Sequence, residues 1–258
     1  MPTDHIPIPS PDSPSEAAGR TPAAPQDAGG YAPVRLRAVL VPLLAVNASV
    51  VVLAVASFLI HHRTEGMAAA VSYTVYEFVT LDGEGNVSAW LSALLWALLG
   101  LVGAVYAGTA SRLRGSWLMF AVVCLVASID EAVSLHERLN MIGDRLLPYL
   151  PFTVAYTWTI PGIVVAVVVA LTMLRLVRSL PSTARGWLIA AAGVFLVGAV
   201  GFELLGAERA EAAGFDSVYW RLMVVEETLE LAGLALAIAS LTTLTQWNDK
   251  ERALRVAA

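Results

Sequence analysis

Residues 118–139 read LMFAVVCLVASIDEAVSLHERL, an unbroken apolar run that ends in a group of ionisable side chains. The apolar part is long enough to form most of a helix across a hydrocarbon core of about 30 Å. Its end carries the adjacent carboxylates Asp130 and Glu131, followed by His136 and Glu137. Because an ionised side chain in contact with lipid costs several kcal/mol, we expect this end to face the interior of a helical bundle.

The composition of the whole chain indicates the same class. Of its 258 residues, 57% are hydrophobic and 14% are charged, and the mean hydropathy is +0.69. Soluble domains are about 45–50% apolar and about 25% charged. We therefore predict an all-α integral membrane protein, a bundle of about six transmembrane helices. The predicted spans are residues 36–60, 89–110, 117–139, 160–176, 187–205 and 218–244.

The ends of the chain differ from the apolar middle. Residues 1–34 are rich in Pro, Ala, Ser and Gly, which predicts a disordered tail without a packed core. They lack the basic start and apolar stretch of a secretory signal. We predict three parts: a disordered tail at 1–34, a transmembrane domain at 35–246 and a C-terminal tail at 247–258. The sequence EGMAAAVSYTVYEF, between the first two spans, predicts a short interfacial helix that carries Glu77.

The basic residues predict the orientation. Eleven of the sixteen Lys and Arg residues fall in the two tails and in the second and fourth loops. The positive-inside rule then places both termini in the cytoplasm of a cell whose inner or plasma membrane holds the protein. Tryptophans near both ends of the predicted spans, among them Trp90, Trp117 and Trp187, agree with this frame.

The acidic residues lie at the opposite side. Fifteen of the twenty-one fall in the outer loops or the outer halves of the helices. At about 100° per residue, Asp130 and Glu137 share one face of a continuous third helix, whereas Glu131 points to its flank. Glu226 and Glu230 share a stripe of the sixth helix. The predicted site therefore consists of Asp130, His136, Glu137, Glu203, Glu226 and Glu230.

Carboxylates that outnumber nearby Arg residues favour a bound cation, and an added imidazole suits a divalent transition metal: Fe, Mn or Zn. Known templates are absent. No Glu-x-x-His pair, HExxH, GxSxG, P-loop or Rossmann motif is found. Cys124 is the only cysteine, so neither an intrachain disulfide nor a thiolate-rich metal site can form.

Three functions remain open. The first is a metal-dependent membrane enzyme that acts on a lipid or another apolar substrate. The second is a cation or proton transporter, although no acid lies in the inner halves of the helices to continue a path. The third is a non-catalytic accessory or assembly subunit whose acids pair with Arg or with a partner. Membrane lipids are expected partners; nucleic acid is not, and the sequence names no protein partner.

Three motifs together carry a resemblance. LDGEGNVSAW precedes the second span, SIDEAVSLHE ends the third, and VEETLELAG lies in the sixth. This combination resembles an uncharacterised group of bacterial multi-pass membrane proteins. The resemblance covers most of residues 36–245 and implies a membrane bundle. It carries no activity over to this chain.

Overall fold

The computed structural model describes residues 31–83, 85–248, 251 and 253–256. In these residues nine α-helices and a three-stranded sheet are formed. The helices are α1 Leu36–His61, α2 Gly66–Val79, α3 Val87–Thr109, α4 Arg114–Val133, α5 Asn140–Leu146, α6 Thr159–Ser179, α7 Ser182–Leu196, α8 Glu203–Ala213 and α9 Ser217–Thr242. A π-helical turn, Val197–Phe202, joins α7 to α8 without a break, and short 3₁₀ turns flank α5 at Glu137–Leu139 and Leu147–Tyr149. The all-α class is confirmed.

Five helical segments are long and apolar enough to cross a membrane. They are α1, α3, α4, α6 and the continuous helix Ser182–Ala213. Their outer faces carry large exposed apolar side chains such as Val52, Leu125, Val164 and Leu171, as expected of faces that meet lipid. A membrane location is thus supported for five of the six predicted spans.

The sixth predicted span forms the helix at the centre of the bundle. α9 packs against α1, α3 and the continuous helix α7–α8. Its C-terminal half is closed: Leu231, Ala235, Ala239 and Leu241 are completely buried. Three glutamates lie in its middle, so α9 is too polar to be counted as a span on composition alone. A polar helix is tolerated at this depth when neighbouring helices cover it.

Small residues allow the closest helix contacts. A Cβ on Gly233 of α9 would lie 2.8 Å from the amide nitrogen of Phe195 and 3.0 Å from the carbonyl oxygen of Ala191 in α7. Gly100 of α3 lies similarly close to Cys124 of α4. Such contacts are typical of helices that associate in lipid, where small side chains let backbones approach.

The third predicted span is wrong at its C-terminal end. We expected a helix through residue 139, but α4 ends at Val133 and Ser134 adopts a left-handed conformation with φ of 44°. The Asp130 carboxylate accepts hydrogen bonds from the His136 backbone N–H at 2.6 Å and from its Nδ1 at 3.0 Å. These bonds hold the chain in a reversal that a continuing helix could not make.

A small sheet joins the two ends of the described chain. Strand β1, Tyr31–Pro33, pairs with β2, Thr245–Asn248, which pairs with β3, Ala253–Val256, both antiparallel. The sheet therefore includes residues that we assigned above to both tails, and the division at residues 34 and 246 stays a prediction. The predicted disorder of residues 1–30 lies outside the described residues. Because Tyr31 lies opposite Asn248, the two ends of the described chain lie at the same end of the bundle.

Candidate functional site

Five glutamates lie half-buried where α4, α8 and α9 meet. They are Glu131 at the end of α4, Glu203 at the start of α8, and Glu226, Glu227 and Glu230 in α9. We call these five residues the glutamate group. Each interacts electrostatically with at least one other member. The group includes three of the predicted site residues, Glu203, Glu226 and Glu230.

Glu203 and Glu226 face each other where α8 packs against α9. Their negative charges act on each other. The π-helical turn directly before Glu203 turns this residue toward α9 by its extra residue per turn. Close packing is possible because Gly198 lies against the backbone of Glu226 and the side chain of Glu230, with no room for a Cβ.

Glu131 joins the group from the opposite side. The Trp96 indole N–H donates to its carboxylate at 3.3 Å, and Ser92 of α3 also lies beside it. Glu131 interacts electrostatically with Glu227 and Glu230. The sequence placed Glu131 on the flank of the face that Asp130 and Glu137 share, about 100° from Asp130. In the structure this flank leads to the glutamates of α9.

Asp130, His136 and Glu137 occupy a separate position beside the group. Asp130 pairs with His136, whose ring packs edge-on against Trp158 at a centroid distance of 4.6 Å. Glu137 lies in the following 3₁₀ turn and no longer shares a helical face with Asp130. His136 still interacts electrostatically with Glu203 and Glu137, so this pair borders the glutamate group.

Asp82, Tyr156 and Tyr219 extend the polar region toward the loops. The Tyr219 hydroxyl donates to Asp82 at 3.4 Å. Burial raises the pKa of the Asp82 carboxyl, although the hydrogen bond from Tyr219 opposes the shift. Burial also raises the pKa of Tyr156, and the negative charge of Glu203 adds to that rise. The sequence analysis did not assign these three residues to the site. The one signal for them was Asp82, which lies in the acidic stretch LDGEGN before the second predicted span.

Charge compensation for the glutamates is missing among the described residues. The ion pairs of the described residues are Arg209 with Asp216, and His136 with Asp130. Neither pair involves the glutamate group. Asp216 also caps α9 by accepting from the N–H groups of Val218 and Tyr219. The side-chain positions in this part of the chain bring no three His, Cys, Asp or Glu residues together so that they could hold a metal ion. The group is therefore an electrostatically coupled set and not an assembled metal centre.

A closed apolar core separates the glutamates from the sheet end of the bundle. Between Glu230 and Leu241, α9 spans about 16 Å and contributes Leu231, Leu234 and Leu241, all at most 2% exposed. The Tyr106 hydroxyl donates to the Leu241 carbonyl at 2.6 Å, and both belong to this closed layer. The polar region consequently does not continue toward the sheet end of the bundle.

The His136–Asp130 pair predicts a pH dependence of stability. Burial lowers the pKa of His136, but the hydrogen bond and the charge of Asp130 outweigh that effect and leave the pKa raised. A raised folded-state pKa contributes stability that is complete below the unfolded value, about 6.5, and that is lost as the pH rises through the folded value. We expect a loss of about 1 kcal/mol or less, because the pair is partly exposed.

Melting curves between pH 5.5 and 8.5 check this prediction. The wild-type melting temperature should fall with rising pH, and His136→Gln should flatten that part of the profile. An equal slope in both proteins would contradict a contribution from His136.

Comparison with known proteins gives a family and no activity. No curated protein and no solved structure matches the chain. The family model described as "Domain of unknown function (DUF8692)" matches residues 43–244. This range contains most of α1, all of α2 to α9, and the five members of the glutamate group. Because this match covers well over half of the sequence, the chain belongs to the DUF8692 family.

Proposed function

We propose that the glutamate group binds a divalent cation and that the protein is a metal-dependent membrane enzyme acting on a lipid or another apolar substrate. The observation that supports this proposal is the negative charge of the glutamate group, which no basic side chain among the described residues offsets. Five half-buried carboxyl groups interact with one another, and no Arg or Lys among the described residues pairs with them. Protons or a bound cation must offset their charge.

The donor chemistry decides which cations suit the site. All five groups are carboxylates, which favour oxygen-preferring ions such as Mn²⁺ or Fe²⁺ over thiolate-preferring ones. Zn²⁺ would need the imidazole of His136, which is held by Asp130. In the described positions no three donors converge, so binding requires rotation of the glutamate side chains. A bound metal would supply Lewis-acid activation of water or of the substrate.

The residues of this chain have separate parts in that proposal. Trp96 of α3 orients Glu131 through its indole N–H. The pair of Asp130 and His136 borders the site and can hold a proton beside Glu203. Glu137, the remaining residue of the site predicted from the sequence, lies in the adjacent 3₁₀ turn at the edge of the glutamate group. The closed layer of α9 excludes water from the far side of the group.

The closed apolar layer beside the glutamate group favours an enzyme over a transporter. A through path for ions needs polar groups across the whole bundle, whereas the layer around Leu231, Leu234 and Leu241 is closed and apolar. The second candidate is a non-catalytic accessory subunit. The described side-chain positions favour it, because no three of these donors come together where they could hold an ion.

Amide substitutions separate these two candidates. We expect Glu131→Gln, Glu226→Gln and Glu230→Gln each to weaken Mn²⁺ binding by about tenfold or more, because each removes one anionic ligand and keeps the shape. The measurement is calorimetric titration of the purified protein, with the melting temperature recorded in parallel. Glu208→Gln, on the exposed side of α8, is the matched control and should bind like the wild type.

The accessory-subunit candidate predicts the opposite pattern. Removal of a buried charge that no ion offsets is neutral or stabilising, so the same three variants would melt at the same or a higher temperature. Cation binding would then be absent from the wild type as well as from the variants.

The proposed location is the inner or plasma membrane with both termini in the cytoplasm. Eleven of sixteen basic residues support this orientation, and the pairing of β1 with β2 supports termini on one side. A phosphatase reporter that is active only outside the membrane should be inactive when fused after Ala258 and active when inserted after Gly214. The reverse pattern would place the glutamate group on the cytoplasmic side.

A further inference from the structure

A groove of about 500 Å³ lies between α1 and the short helix α2. Its walls are formed by Leu53 and Ile60 of α1 and by Met67, Val71 and Val75 of α2. These side chains are well exposed: Met67 by 82%, Val71 by 60% and Ile60 by 54%. One wall belongs to a helix long and apolar enough to cross a membrane, so the groove opens where that helix leaves the hydrocarbon layer.

The few polar residues of the groove leave almost no hydrogen-bonding capacity for a ligand. The Ser57 hydroxyl donates to the Ala54 carbonyl at 2.9 Å, and the Ser72 hydroxyl donates to the Ala69 carbonyl at 3.0 Å. The Thr64 hydroxyl donates to the His61 carbonyl and also contacts the Ser72 hydroxyl at 2.9 Å. A peptide in this groove would leave its backbone N–H and C=O groups unsatisfied, whereas a hydrocarbon chain has no such need.

Arg63 places a positive charge at the end of the groove. His62 and Arg63 directly follow α1, between the groove residues Ile60 and Thr64, and both are exposed. Among the residues that the structure describes, Arg63 has no ion pair. His62 donates from Nδ1 to the Phe58 carbonyl at 2.9 Å, so Arg63 remains as the donor for a phosphate at this end. Glu65, also exposed, is the one acidic residue in this turn.

We propose that the groove binds one anionic phospholipid of the bilayer, with an acyl chain between α1 and α2 and the phosphate at Arg63. Apolar walls without free polar groups suit the acyl chain. An unpaired arginine beside them suits a phosphate, which it binds through two parallel hydrogen bonds. Basic residues at membrane helix ends recognise lipid headgroups in this way. This inference does not depend on the function proposed for the glutamate group.

Native mass spectrometry of the detergent-purified full chain tests the proposal. The probes are phosphatidylglycerol and phosphatidylcholine with identical acyl chains. We expect phosphatidylglycerol to bind about fivefold more tightly, the effect of one favourable arginine near the headgroup. Arg63→Gln should abolish this preference, and Glu65→Gln should increase it. Ala68→Trp, which fills the groove, should weaken binding of both lipids.

Controls make each outcome informative. Val71→Trp is a second groove-filling variant at an exposed position, for use if Ala68→Trp melts early. Val164→Trp, on the exposed face of α6, should leave lipid binding unchanged. The proposal is overturned by equal binding of the two lipids, by unchanged binding in both groove-filling variants, or by an equal loss in Val164→Trp. A dimer that Ala68→Trp converts to a monomer, with lipid binding retained, would assign the groove to a second copy of the chain.

Discussion

Gly233→Val should destabilise the protein by about 3 kcal/mol, the cost of forcing a larger side chain into a closely packed core. A Cβ at this position meets the backbone nitrogen of Phe195 at 2.8 Å and the carbonyl oxygen of Ala191 at 3.0 Å. Backbone atoms of a helix cannot rotate away as a flexible side chain can. α7 must therefore move away from α9, which separates the helices that carry Glu203 and Glu226. The melting temperature of the detergent-purified protein measures the effect.

Gly193→Ala provides the matched control. Gly193 lies in α7 only two residues from both Ala191 and Phe195, but a Cβ there meets no atom within 4 Å. Alanine also has the higher helix propensity, so this variant should melt at or slightly above the wild-type temperature. Equal melting temperatures for Gly233→Val and wild type would show that α9 is not packed against α7 as described.

Gly143→Ala is the second substitution with a large expected effect. A Cβ on Gly143 of α5 would overlap the carbonyl oxygen of Thr157. The contact belongs to a polar junction in which Thr157 donates to Asp144 at 2.6 Å, and the Asn140 side chain accepts from the Trp158 backbone N–H at 2.8 Å. We expect the variant to lose about 2 kcal/mol or more, because the clash separates α5 from the start of α6.

Trypsin digestion locates the loss to this junction. Arg138 and Arg145 lie on either side of Gly143 and are exposed, so cleavage there should become faster in Gly143→Ala while the helical bundle stays intact. Gly115→Ala, at an open position of α4, is the control and should be cut like the wild type. Unchanged digestion together with an unchanged melting temperature would contradict the described contact between α5 and Thr157.

Hydropathy predicted most of the helices because the apolar runs are long and are interrupted by turns. The segments at α1, α3 and α6 were found within a few residues, the predicted fifth span (187–205) covers the middle of the longer helix Ser182–Ala213, and the short helix α2 was also expected. The C-terminal end of α4 could not be found in this way, because it depends on the bonds of Asp130 to His136. Nothing in an apolar periodicity reveals that a carboxylate will hold the backbone six residues later.

The glutamate group shows a second limit of the sequence. Helical phase separated Asp130 from Glu131 by about 100°, which is correct, but phase alone does not say which of them faces α9. The indole N–H of Trp96 in α3, 35 residues earlier in the chain, holds Glu131 in its direction.

The metal content of the purified protein tests the central claim most directly. The full chain, purified in detergent without chelators and supplied with Mn²⁺, Fe²⁺ or Zn²⁺, is dialysed and subjected to elemental analysis. We predict that about one divalent ion per chain is retained and that the double variant Glu226→Gln/Glu230→Gln loses it, while Glu208→Gln keeps it. A wild-type protein that retains none of these ions, and whose double variant melts at a higher temperature, would contradict the claim.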